Sequence, residues 1–203
     1  MYISKVSLIN YKNFANAKFL FNKGINTIIG ENGAGKTNVF RAIRLLLEDT
    51  SLHYSYKLTE NDFNRLLGGD AWKGHWIIIS LEFNELTDEE AIQSLFIHGA
   101  GVAKEDYVKK ASYNLFFRPK ADIRQRLSEL TKGDTDGLNK ILNEITIKDS
   151  YETFFTGKST ADFNDPEIYK ELVGDFENVD FPSTIDTSKF GTKIPHQLSI
   201  SKE

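Results

Sequence analysis

Three observations predict an α/β fold, a mixed β-sheet with flanking helices. The chain opens on alternating apolar and polar residues, a glycine-rich stretch follows a short apolar run, and the period then changes from two to that of a helix. Tyr2, Val6 and Leu8 alternate with Ile3, Lys5, Ser7 and Ile9. A turn from Asn10 to Asn16 leads to a second alternation with Ala17, Phe19 and Phe21 on one face. This pattern is a hairpin. Asn22, Lys23 and Gly24 supply the next turn, and Ile25–Ile29 reads as a short strand running into the glycines. Beyond them Val39, Phe40, Ile43, Leu46 and Leu47 recur at helical spacing, with Arg41, Arg44 and Glu48 on the opposite stripe.

Further on, Trp76–Phe83 predicts a strand with Ile77, Ile79, Leu81 and Phe83 on one face. Thr87 and Glu90 form a capping box for a helix through Ala91, Ile92, Leu95 and Phe96 that Gly99 ends. Tyr113–Phe117 is a strand stopped by Pro119, and the spacings of Ile123, Leu127 and Leu130, then Leu138, Ile141, Leu142 and Ile145, predict two helices. Asp165 before Pro166 is a cap and first-turn proline opening a short helix toward Phe176. Gln197–Ser201 reads as the start of a strand. The pattern divides the chain into a lobe over residues 1–86 and a helical or mixed continuation over 87–203.

At 203 residues there is room for one ordinary domain, or a domain with an added lobe. The longest apolar runs are too short to span a bilayer, and the first residues lack the features of a signal peptide, so a soluble cytoplasmic protein without membrane contacts is expected. Zero cysteines exclude disulfides, thiolate metal sites and cysteine nucleophiles. A net charge of −4 argues against a protein that coats nucleic acid. Up to Leu47, however, Lys5, Lys12, Lys18, Lys23, Lys36, Arg41 and Arg44 face the single acid Glu31. That imbalance is either a basic lobe or, on the commoner behaviour of surface charge, a set of solvated faces.

The chemistry is carried by Gly30, Glu31, Asn32, Gly33, Ala34, Gly35, Lys36 and Thr37, which match G-x-x-x-x-G-K-[ST] between a strand and a helix. Glycines let successive backbone N–H groups curl around phosphate oxygens, and the helix start adds its positive dipole end. The Lys36 ammonium is placed to reach the β- and γ-phosphates and the Thr37 hydroxyl to ligate Mg²⁺. The loop therefore predicts binding of a nucleoside triphosphate, ATP with Mg²⁺. Asn38 closes the loop, and Lys12 and Asn13, between Tyr11 and Phe14 in the first turn, join the nucleotide-binding candidates. The two rings either lie near the base or pack the hairpin.

Hydrolysis needs more. Glu82 ends an apolar strand and is the candidate catalytic acid, against the reading of an outward carboxylate. Leu66–Asp70 has a faint likeness to a signature loop and Asp134-Thr135-Asp136 has nuclease-like spacing, but both read as polar turns. His53, His75, His98 and His196 form no metal-binding pair. Arg118, Arg124 and Arg126 are the one local arginine cluster.

The run Ile3–Phe14, the loop Gly30–Asn38 with Asn32 and Asn38, Arg41–Leu47, Asn61-Asp62-Phe63 and Leu81–Leu86 together resemble the RecF/SMC-like, ABC-type P-loop ATPases. Within them the chain is similar to the OLD (overcoming lysogenization defect) family of ATP-dependent endonucleases. The likeness extends to about Leu86. It implies an ABC/SMC-type P-loop NTPase fold and a head-to-head homodimer, with ATP held between the P-loop of one subunit and a signature loop of the other. It also implies a C-terminal Toprim nuclease, DNA as substrate and a role in defence against phage. Walker B, signature and Toprim regions are not found up to Glu203, so the chain is expected to bind ATP with little hydrolysis. Completion by further sequence or by a partner protein is expected. A DNA-maintenance ATPase without nuclease and a small stand-alone P-loop kinase or switch are the alternatives.

Overall fold

The computed structural model describes residues 1–47, 58–86 and 110–194. Strand β1 (Tyr2–Tyr11) turns at Lys12 and Asn13 into β2 (Phe14–Leu20). Strands β3 (Ile77–Asn84), β4 (Lys110–Pro119), β5 (Tyr151–Gly157) and β6 (Thr192–Lys193) extend the sheet in the order β2-β1-β3-β4-β5-β6. All pairings among the described strands are antiparallel. Because β3 pairs with β4 along its whole length, one sheet joins the regions before and after residue 86. The helices are α1 (Lys36–Leu47), α2 (Ala121–Ser128), α3 (Thr135–Glu144), the short α4 (Ile147–Ser150), α5 (Pro166–Val173) and the short α6 (Thr187–Phe190). The capping box at Thr87, its helix, and the strand expected at Gln197–Ser201 lie outside the described residues.

Both faces of the sheet are covered. One face carries Val6, Leu8, Ile77, Ile79, Leu81, Leu115 and Phe117, packed under α1, α2 and α3. On the other, Ile9, Ile78 and Phe116 meet Phe163, Leu172, Val173 and Phe190 from the C-terminal segment. Each fully buried aliphatic side chain contributes about 1.5–3 kcal/mol, which is why β3 reads as almost continuous Ile and Leu. The second face also buries polar groups, and it satisfies them across strands. Ser80 Oγ bonds Asn114 Oδ1 at 2.6 Å, Asn114 Nδ2 donates to Thr156 Oγ1 at 3.1 Å, and Thr156 Oγ1 donates to the Phe190 carbonyl at 3.2 Å.

Two elements differ from expectation. In α1 the buried seam is Val39, Ala42, Leu45 and Leu46, while Phe40 and Leu47 are about half exposed. Ala42, fully buried, lies in this seam, and Phe40 and Leu47 fall to its outer sides. More consequentially, Ile25–Ile29 is not a strand. Ile25 is 99% and Ile29 89% exposed, and the segment finds no strand partner among the described residues. An apolar period supplies the side chains for a strand, but a strand also needs a neighbouring edge for its N–H and C=O groups. The first turn is shorter than the expected Asn10–Asn16, since β1 and β2 pair up to Tyr11 and Phe14, and β5, β6, α4 and α6 have no counterpart in the sequence pattern. The other expected elements within the described residues appear close to where their patterns place them. Asp165 caps α5 by accepting from Glu167 N at 3.0 Å, and Asp134 caps α3 by accepting from Gly137 N at 2.9 Å. Asp134 and Asp136 are thus part of a helix start, and no cluster of metal-ligating side chains occurs among the described residues. Nor is any described helix long and apolar enough to cross a membrane.

His75 gives a pH-dependent handle on this packing. Its ring stacks on Phe176 at 4.1 Å, and Nδ1 lies 3.1 Å from the Tyr169 hydroxyl. That hydroxyl already accepts from Asn10 Nδ2 and Trp76 N, so its proton goes to an unprotonated Nδ1. Burial accordingly lowers the imidazole from 6.5 to about 4. A group whose folded value is depressed binds its proton more readily when unfolded, so its contribution is complete above pH 6.5 and is lost as pH falls toward 4. Denaturant unfolding should lose about 3 kcal/mol over that window, and His75→Phe should flatten the slope. An unchanged slope in the variant would assign the acid sensitivity to other groups.

Candidate nucleotide-binding site

The glycine-rich loop leads directly into α1, whose first residue is Lys36. Gly33 and Gly35 adopt left-handed backbone with φ of 84° and 97°. Ala34 N bonds the Glu31 carbonyl at 3.2 Å, and Gly35 O accepts from Asn38 N at 2.9 Å and Val39 N at 3.1 Å, which starts the helix. Among the described residues the amides of Gly33, Gly35, Lys36 and Thr37 have no acceptor, so a ring of N–H groups is left for a ligand at the positive end of α1. Among the described residues the Lys36 ammonium has no acid partner. It folds back onto the carbonyls of Gly30 at 2.5 Å and Glu31 at 2.8 Å. Thr37 is exposed at the helix start.

The first hairpin turn braces this loop. Asn13 Nδ2 donates to the Ala34 carbonyl at 3.0 Å, and its Oδ1 accepts from Asn38 Nδ2 at 2.9 Å. A Cβ at Gly35 would sit 2.2 Å from Asn13 Nδ2. Thus Gly35 is required both by its φ and by the side chain that locks the loop. Lys12 has a different task. Its ammonium pairs with Asp62 Oδ1 at 2.8 Å and donates to the Asn61 carbonyl at 3.2 Å, while Lys12 N bonds the Asp62 carbonyl at 2.7 Å. Asn64 Nδ2 returns a bond to the Lys12 carbonyl at 3.0 Å. The turn is therefore docked on the segment Asn61–Asn64, and Lys12 positions more than it offers charge.

Lys12, Asn13, Gly33, Asn38, Asn61, Phe63 and Arg65 line a recess of about 230 Å³ beside the loop. The sequence carries no local signal for Arg65 at this site, and Phe63 enters only through the resemblance in Asn61-Asp62-Phe63. The rings of the first turn are packing elements: Tyr11 is fully buried, which pushes its phenol well above its usual value, and Phe14 meets Phe19 edge-on at 5.5 Å.

Glu82 is not brought to the loop. It pairs with Lys5 at 2.8 Å and lies opposite Lys5 in the sheet. Lys5 is six residues from Tyr11 along β1, roughly 20 Å at the rise of an extended strand, while the loop is braced from beyond Tyr11. The outward-carboxylate reading of Glu82 is the one its geometry fits. Apart from Lys36, the N-terminal lysines are likewise paired: Lys5 and Lys18 with Asp162 at 3.0 Å each, and Lys23 with Glu85 at 2.5 Å. Burial opposes ionisation of Asp162, yet its bonds to Lys18 and Lys5 hold the carboxyl down to about 2.

A glycine cradle with unused amides, an unpaired lysine and a hydroxyl at a helix start fits a polyphosphate with its cation, and it defines a P-loop nucleotide-binding protein. Residues 1–197 match the family model described as AAA ATPase domain, and the chain belongs to that family. The fold is a P-loop ATPase fold of the SMC/ABC type. Among curated relatives, the chain is 26% identical over 182 residues to the DNA double-strand break repair Rad50 ATPase of Thermoplasma acidophilum, covering 80% of this chain and 20% of that one. It is 56% identical over 43 residues to the DNA replication and repair protein RecF of Flavobacterium johnsoniae, 21% of this chain and 12% of that protein. It is 50% identical over 48 residues to the chromosome partition protein Smc of Chlorobaculum tepidum, 23% of this chain and 4% of that protein. The chain therefore spans a fifth or less of these relatives' length.

Proposed function

We propose that the chain is the nucleotide-binding lobe of an ATPase that takes ATP with Mg²⁺ and acts on DNA once a second lobe completes it. The observation that carries this reading is the loop Gly30–Thr37, held open by Asn13 with its amides and Lys36 uncommitted to any acid. Lys36 and the loop amides hold the phosphates, Thr37 and the phosphates hold the cation, and the bound cation supplies charge neutralisation at the transferred phosphoryl group. Asn13 and Asn38 keep the loop in the shape that does this. Completion is supported by apolar side chains left in solvent, Ile25 and Ile29 before the loop and Phe40 and Leu47 on α1, which a second lobe or partner protein would cover. DNA as substrate is supported by the names of the relatives, which concern replication, repair and chromosome partition. Head-to-head dimerisation and a cytoplasmic location belong to the same reading.

The finer reading is an OLD-type endonuclease in phage defence, on the strength of the sequence pieces from Ile3 to Leu86; its rival is a DNA-maintenance ATPase without nuclease. Phosphate release and plasmid cutting by the 203-residue chain, beside a version carrying any natural downstream sequence, test both. The short chain is expected to bind ATP and turn it over very slowly, because transition-state charge needs groups beyond this lobe. The longer form should be faster by orders of magnitude. Metal-dependent cutting selects the endonuclease, and hydrolysis without cutting under every metal selects the maintenance ATPase. Brisk, Lys36-dependent turnover by the short chain would refute the need for completion.

Thr37→Ala separates cation binding from phosphate binding. With Mg²⁺ present the affinity for a fluorescent ATP analogue should fall roughly tenfold, whereas in EDTA it should change little. Equal losses in both conditions would make Thr37 a packing residue.

A further inference from the structure

On the sheet face away from α1 lies a cavity of about 720 Å³, within the size range that encloses a small organic ligand. Its floor is aromatic: Trp76 at the edge of β3, Phe116 from β4 and Phe154 from β5. Its walls are α2, through Arg124 and Gln125, and the strap from Phe181 to Lys193. None of these residues lines the nucleotide loop.

Arg118, on β4, is the unusual group. Its side chain is only 6% exposed, and its guanidinium lies 3.6 Å from the Phe154 centroid and 5.4 Å from that of Trp76. Only its Nε is bonded, to Glu152 Oε1 at 3.0 Å. The two terminal nitrogens have no acceptor among the described residues. The same carboxylate oxygen also accepts from Arg124 at 3.1 Å, so two guanidiniums share one negative charge. Lys193 adds a third cation at the mouth, 5.7 Å from the Phe154 ring, against Glu129 on the α2 side. These terminal N–H groups are left to solvent or a ligand, and a guanidinium fork recognises planar anions in two-point fashion. Phe154, the half-buried ring of the three, gives an apolar edge beside which a flat ring gains further attraction. Burial, then the like charge of Arg124, pulls Arg118 from 12.5 to about 10, a tendency that a bound anion would reverse.

We propose that this cavity is a second ligand site, which takes a flat aromatic monoanion with its acid group on the terminal nitrogens of Arg118 and its ring beside Phe154. Such a site operates independently of the P-loop, since it opens on the other face of the sheet.

The probe is 2-naphthoate, with 2-naphthalenemethanol as its uncharged counterpart, titrated into the ¹⁵N-labelled full chain. The chain has two tryptophans, and their indole N–H signals report separately: Trp76 lines the cavity, whereas Trp72 packs in the opposite core against Phe63 and Tyr151. The Trp76 signal should move saturably at sub-millimolar probe while Trp72 stays still, and ATP with Mg²⁺ should not compete. The uncharged counterpart should bind at least tenfold more weakly. Arg118→Met should abolish the shift. Because Arg118 is buried and that variant can fail to fold, Lys193→Glu at the exposed rim serves as the second test, and should weaken naphthoate at least fivefold without changing the spectrum of the free protein. No movement of Trp76 at millimolar probe, equal affinity for the uncharged counterpart, or full affinity in folded Lys193→Glu would overturn the proposal.

Discussion

Lys36→Ala is expected to lower affinity for an ATP analogue roughly a hundredfold, about 3 kcal/mol, while the folded sheet survives. The asymmetry follows from where the ammonium sits. Among the described residues its partners are the carbonyls of Gly30 and Glu31 in an exposed loop, so its loss removes no buried ion pair there and opens no cavity in either core. Its charge next to unused amides is, by contrast, the principal attraction for a polyphosphate. Titration of a fluorescent analogue and a thermal melt of the same samples check both halves. Unchanged affinity would sink the loop assignment, and a collapsed melting transition would mean that Lys36 supports the fold in a way its contacts do not reveal.

Gly35→Val should also damage binding, by another route. The residue needs φ of 97°, which costs a β-branched side chain about 1–2 kcal/mol, and its Cβ would meet Asn13 at 2.2 Å. Either the loop shifts or Asn13 leaves Ala34 and Asn38, and in both cases the amides lose their common focus. A loss of at least tenfold in nucleotide affinity is expected, roughly 1.4 kcal/mol or more, with far-UV circular dichroism unchanged because the sheet lies elsewhere. The clash is separable from the strain. If the Asn13 contact matters, Gly35→Ala and Asn13→Ala will be non-additive, the double variant binding better than the sum of the two losses allows. Strict additivity would leave backbone strain as the whole effect.

Much of the fold was legible in the chain because its signals are local. The alternation in Ile77–Phe83, the cap at Asp165 and the stop at Pro119 each depend on residues a few positions apart, and each appears in the structure. Asp134, which reads as a polar turn, is instead the cap of α3. Where the outcome depended on a distant partner, local pattern was not enough. Ile25–Ile29 has the side chains of a strand and lacks an edge to pair with among the described residues. Phe40 has the spacing of a core residue, yet the helix seats on Ala42. The N-terminal lysines read as a basic excess because Asp62, Glu82 and Asp162, which neutralise them, stand 50 to 157 positions away.

The candidate site divides in the same way. The sequence by itself determined the phosphate loop, because glycines that curl the backbone, the lysine and the threonine are contiguous in Gly30–Thr37 and their chemistry needs no other part of the chain. Only the tertiary structure decided what Lys12, Asn13 and Glu82 do with their charges and amides. It put Asn13 across the loop as a brace, committed Lys12 to Asp62, and carried Glu82 to the far end of β1 beside Lys5. It also gathered Trp76, Arg118, Arg124, Phe154 and Lys193 around one cavity. The physical reason is that hydrogen bonds, ion pairs and stacked rings act over a few ångströms of space, and separation along the chain does not fix separation in space until the sheet has formed.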